Sequence, residues 1–130
     1  MRALAVLLTL YLPTVAQAFD QSQWVEVSGG AWHPDTASLA KLETALMPAV
    51  NAASMNRGAM RAWNSYTFQY QGRESLLKIS YVFVNAFCGA SNVDARKTWV
   101  EVFDGGTCYF SAKYDPKGGR IYDVRVNGVG

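Results

Sequence analysis

The longest unbroken strand signal of the chain, residues 76–88, alternates at its start and loses the alternation toward its end. Leu77, Ile79, Tyr81 and Phe83 share one side of an extended chain. Lys78 and Ser80 share the other, with Val82 and Val84 following. β-branched and aromatic side chains suit a pleated surface, so the run predicts a central strand covered on both faces near Phe83. Upstream, Tyr66, Phe68 and Tyr70 alternate with Ser65, Thr67 and Gln69, which predicts a strand over residues 61–70 and a turn over 71–74. Downstream, residues 99–103 read as a short strand closed by Asp104-Gly105-Gly106. Residues 107–114 read as another, with Cys108, Phe110, Ala112 and Tyr114 on one face. Asp115-Pro116-Lys117-Gly118-Gly119 is a turn. Residues 120–127 form the last strand, with Tyr122, Val124 and Val126 inward. Trp24 to Val27 alternates as a first edge strand, broken at Ser28-Gly29-Gly30.

The period changes after His33-Pro34. Leu39, Leu42, Leu46 and Val50 recur at three- and four-residue spacing, widened by Ala45, Ala49 and Ala53. That is one apolar stripe of a helix, capped by Asp35 or Thr36 and ended by Asn56-Arg57-Gly58. Pro48 removes an N–H and crowds the preceding turn, so a bent helix and two short helices meeting at Met47-Pro48 fit equally. The fold class is α+β: one N-terminal helix, bent or broken at Pro48, on a four- to five-stranded antiparallel sheet.

The order of elements resembles the cystatin-like roll, and more loosely the NTF2-like one. Gly29-Gly30 precedes the helix as the glycine of the cystatin N-terminal trunk does. Gln69-Tyr70-Gln71-Gly72 is similar to that family's Gln-x-Val-x-Gly loop, one residue short and without its Val. Asp104-Gly105-Gly106 stands where the inhibitors carry Pro-Trp. The resemblance implies that Gly29, Gly30, Trp32, Gln71, Gly72, Asp104, Gly105 and Gly106 gather at one mouth of the roll and meet a partner there. The NTF2-like resemblance implies a conical pocket with a buried acid, for which Glu101, on a strand face with Trp99 and Phe103, is the candidate. The strings 84–88 and 104–110 are also similar to those of uncharacterised small exported proteobacterial proteins, which implies no activity.

Composition adds a compartment. Arg2, the apolar residues 3–12, Pro13 and Ala16-Gln17-Ala18 read as a signal peptide over residues 1–18, leaving one domain over residues 19–130. The apolar stretch is shorter than the ~20 residues that span a bilayer, so no transmembrane segment is expected in the mature chain. The destination is a periplasm or the extracellular space. Without Arg2, eleven basic side chains face ten acidic ones, and no basic stripe stands out. That argues against nucleic acid and against a membrane surface as partner. Cys88 and Cys108, an even count in an exported chain, point to a disulfide. It closes a loop of ~20 residues, worth roughly 3 kcal/mol on a chain-entropy argument. In a simple meander the strand over 99–103 would put the two cysteines at opposite ends. Pairing then requires residues 89–96 to fold back along the sheet, or the strand to stop before Cys88.

Little chemistry is legible. His33 is the only histidine and has no Cys, His or carboxylate at ligand spacing, so no metal and no cofactor is expected. There is no nucleophile motif. Four Trp, seven Tyr and six Phe exceed what a small core displays by itself, and Trp63 and Tyr109 fall opposite the expected core face. The expectation is a non-enzymatic exported domain that engages or inhibits another protein. The alternatives are a small-ligand carrier and a structural accessory subunit of an envelope assembly.

Overall fold

The computed structural model describes residues 3–9, 19–102 and 105–128. The signal-peptide reading lies largely outside the described residues, as does Asp104. Two short 3-10 turns, Gln21–Gln23 and Trp63–Ser65, lead into strands. Strand β1 is Trp24–Glu26, followed by helix α1, Thr36–Ala53, and by strands β2, Tyr66–Glu74, β3, Ser80–Cys88, β4, Tyr109–Asp115, and β5, Arg120–Val126. The fold is α+β, with α1 packed on one five-stranded sheet of order β1-β2-β3-β4-β5. All pairings are antiparallel except β1 with β2, which is parallel. The all-antiparallel expectation is corrected there. The helix returns the chain to the starting end of the sheet, so β2 must run the same way as β1.

Asp35 caps the helix by accepting from the Ser38 N–H at 2.7 Å. That contact also holds its carboxyl below the usual carboxylate range. The helix runs unbroken through Pro48, whose ring is exposed. Leu39, Leu42, Leu46 and Val50 are buried as the spacing predicts. They meet Trp24, Tyr66, Phe68, Tyr70, Val82, Val84, Ala86, Phe110, Ala112 and Tyr114, which share the near face of the sheet.

Parity differs from the sequence reading in two strands. In β3 the helix-facing set is Val82, Val84 and Ala86, so Tyr81, Phe83 and Phe87 face away. In β5, Asp123 adopts φ 50 opposite a register shift between Ser111 and Lys113. The extra residue turns Tyr122 out to solvent and leaves Ile121, Val124 and Val126 to pack on the core. Trp63 is likewise turned inward. Its ring lies 5.0 Å from Phe68 and its indole N–H donates to Glu43 at 2.9 Å.

The expected strand at 99–103 is absent from the described part, residues 99–102. Residues 89–102 instead form a strap over the face of the sheet opposite α1. β3 and β4 are therefore direct neighbours, and the end of β3 meets the start of β4. Cys88 and Cys108 stand there with Cα atoms 5.2 Å apart, joined as a disulfide.

Candidate functional site

Three places in the molecule gather residues with something to offer a partner. The first is the turn between β2 and β3. The strands extend past the expected turn: β2 runs on to Glu74, and β3 begins at Ser80 rather than Leu76. Residues 75–79 form the turn. The Ser75 N–H donates to the Ile79 carbonyl at 2.9 Å, the Lys78 N–H to the Ser75 carbonyl at 2.9 Å, and the Ile79 N–H to the Ser75 hydroxyl at 3.2 Å. Lys78 sits at φ 64 to close it. With the backbone folded inward, the side chains point out: Leu76 is 103% exposed, Leu77 81% and Ile79 58%. A single exposed leucine is ordinary, but three adjacent aliphatics on one tip are not. The Lys78 ammonium lies 3.6 Å from Glu74. The β4–β5 turn, carrying exposed Lys117 and Arg120, is at the same end, because Val82 pairs with Tyr114 and Asp115 with Arg120.

The second place is the predicted mouth, which divides. Gly29, Gly30, Trp32, Gln71 and Gly72 do come together, near the tip end. They are used internally. The Gln71 side chain donates to the Ser28 carbonyl at 2.8 Å and accepts from Arg73 at 2.9 Å. Trp32 forms a bridge with Gly72 and donates its indole N–H to the Arg73 carbonyl at 3.0 Å. A Cβ on Gly72 would lie 2.2 Å from the Trp32 carbonyl oxygen, so this close approach requires glycine. Gln71-Gly72 is thus part of strand β2, not a loop. Gly105 and Gly106 lie at the opposite end of the sheet, where the Gly106 N–H donates to the Gly128 carbonyl at 3.1 Å. A Cβ on Gly105 would strike the ring of Tyr109.

The third place is the strap and the sheet face under it. Gln69 is fully buried. Its amide donates to the Ala95 and Thr98 carbonyls, both at 2.8 Å, and its carbonyl accepts from the Val100 N–H at 2.9 Å and from Asn85 at 3.0 Å. Asn85 also donates to the Val100 carbonyl at 2.8 Å. Two facing amides thereby hold the strap. Trp99 packs edge-on against Phe83 at 5.3 Å, and the Arg73 guanidinium lies 4.2 Å above Phe83. Beside the strap, a cleft of about 540 Å³ is lined by Asn85, Glu101, Tyr109, Ser111, Arg125 and Asn127, among others. Glu101, expected as a buried acid, is exposed at its rim. Arg125 is paired with Asp123 at 3.3 Å. Lys113 and then Arg125, both hydrogen-bonded to Asp123, hold its carboxyl below the usual range.

His33 is exposed beside Glu26 at 3.1 Å. Among the described residues, no group of three His, Cys, Asp or Glu is placed to hold a metal ion. No described helix is long and apolar enough to cross a membrane. The chain matches no family model, no curated protein and no solved structure.

Sequence reasoning missed Leu76, Leu77 and Ile79 by absorbing them into the strand. One signal was present. Leu77 and Ile79 share parity with Phe83 rather than with Val82 and Val84, so an extended chain would have put them on the face away from the helix.

Proposed function

We propose that the chain is a small exported binding domain, without chemistry of its own, that docks onto an acceptor in its compartment through the tip of the β2–β3 hairpin. The observation that carries this reading is the exposure of Leu76, Leu77 and Ile79 together on a turn whose backbone is closed by its own hydrogen bonds. Aliphatic side chains held out on an ordered turn lose little freedom when they are covered, which favours association. The cystatin-like loop reading does not carry the proposal, because Gln71-Gly72 serves here as a stitch within the fold.

The test is a photo-crosslinking residue at position 77, compared with one at Met55, which is 83% exposed at the far end of the molecule. In the native envelope and culture fluid, an adduct should form from position 77 and not from position 55. Equal labelling of both sites, or of neither, would overturn the reading.

A second reading, a carrier for a small polar ligand, is favoured by the cleft beside the strap, whose volume suits a small molecule. Polar ligands that shift the amide resonances of Asn85 and Ser111 but not those of residues 75–79 would favour it over the docking tip.

A further inference from the structure

We infer that the acceptor of the β2–β3 tip is the interfacial layer of an anionic lipid bilayer. This rests on the reading of the tip as the docking element and names what it docks to. Four observations lead there. The apolar set, Leu76, Leu77 and Ile79, is convex and wholly aliphatic. Its three side chains fall far short of the ~20 residues a side of a standard protein interface. The turn's hydrogen bonds through Ser75 already satisfy three backbone N–H groups, which lowers the penalty for entering an apolar layer.

The fourth is charge. At this end two carboxylates are paired with cations, Glu74 with Lys78 at 3.6 Å and Asp123 with Lys113 at 3.0 Å, and Asp115, which accepts from the Lys117 backbone N–H at 2.9 Å, is one charge against the two cations of its turn. Lys117 and Arg120 are exposed in the neighbouring turn, and neither side chain has a carboxylate partner among the described residues. Their charge is free to meet lipid phosphates while Leu76, Leu77 and Ile79 enter beneath the headgroups. The linear sequence argued against a membrane surface because it contains no basic stripe. Folding assembles the cations around an apolar tip from two separate turns.

The experiment uses the full chain with an environment-sensitive fluorophore on Leu77→Cys. That is the one free thiol, since Cys88 and Cys108 are joined. A second label on Met55→Cys is the control. The probes are vesicles of phosphatidylcholine alone and of phosphatidylcholine mixed with phosphatidylglycerol. The local label matters because Leu4, Val6, Leu7 and Leu8 are also exposed and would bind lipid in a sedimentation assay.

The expected result is a blue shift at position 77, quenched by spin-labelled lipid, on the anionic vesicles and not at position 55. With the label kept at position 77, Leu76→Ser with Ile79→Ser should raise the lipid concentration needed for half-binding about tenfold or more. Lys117→Glu with Arg120→Glu should abolish the preference for anionic vesicles, each charge counting for about fivefold. An unmoved label at position 77 on both vesicles overturns the inference. If a crosslinker at position 77 then yields a protein adduct lost on Leu76→Ser, the docking tip stands with a protein as acceptor. If it yields none, the docking tip falls as well.

Discussion

Gln69 and Tyr66 are the residues whose polar atoms the fold depends on most. Gln69 satisfies four groups from inside the sheet, three of them backbone groups of the strap. An apolar side chain of similar size would leave those groups buried and unpaired. Gln69→Leu should therefore cost about 2–4 kcal/mol, read as a lowered denaturation midpoint. It should also raise amide exchange over residues 95–100. Tyr66, 2% exposed, donates its hydroxyl to the Thr107 carbonyl and accepts from the Arg61 N–H at 3.2 Å. Burial pushes this hydroxyl up from its ordinary value, and the Arg61 N–H pulls the other way. A raised phenol keeps its contribution below about pH 10, the unfolded value, and loses it as the pH rises through the folded one. Tyr66→Phe should cost about 1–2 kcal/mol near neutral pH. Its stability should then fall less steeply above about pH 10 than that of the parent, measured by denaturant titrations across that range.

At the scale of elements, the sequence left the helix cap open between Asp35 and Thr36, but α1, the Tyr66-Phe68-Tyr70 face and the Cys88–Cys108 pair were all legible in it. Each is encoded locally or follows from a count of two cysteines. The turn at 75–79 was not legible, because Leu76-Leu77 and Ile79 have strand-like composition and only tertiary placement leaves them outside the sheet. The part of the strap from Trp99 onward was misread as a strand for a related reason, whereas the fold-back of residues 89–96 follows from the cysteine pair. Trp99 and Val100 have strand propensity, but the fixing partners are Gln69 and Phe83, which are distant in sequence. The bulge at Asp123 was hidden as well, since an aspartate at positive φ carries no mark in an alternating pattern. The disulfide closes the loop that contains the strap. Replacing both cysteines by serine should cost roughly 3 kcal/mol in the unfolding midpoint. The greatest rise in hydrogen exchange should fall within residues 89–102 rather than in α1.

For the whole molecule, the polarity is lengthwise. One end carries the apolar tip and the Lys117–Arg120 turn. The other carries the disulfide, Met55 and the Tyr66–Thr107 contact. The residues that hold the fold and those of the proposed docking tip are thereby separated. Leu76→Ser with Ile79→Ser alters side chains that are mostly exposed, so the folding free energy should stay within about 0.5 kcal/mol of the parent in a denaturant titration. The crosslink or lipid contact at position 77 should be lost in the same variant. Opposite behaviour, a large loss of stability with attachment intact, would mean that the tip packs against the body of the protein.

The parallel pairing of β1 has a consequence for the outer side of β2. β2 is nine residues long, and its outer side would offer a flat row of unpaired backbone groups to any passing copy. Three residues of β1 occupy the middle of that row. The following segment continues the cover, with the Val27 N–H on the Tyr70 carbonyl, the Ala31 N–H on the Gly72 carbonyl, and Trp32 bridging to Gly72. Gly72 is what lets that segment lie so close. The stretch around Gly29-Gly30 thus acts as a seal along an edge prone to strand-by-strand polymerisation, and clipping the chain between Glu26 and Trp32 would unmask a template for fibres.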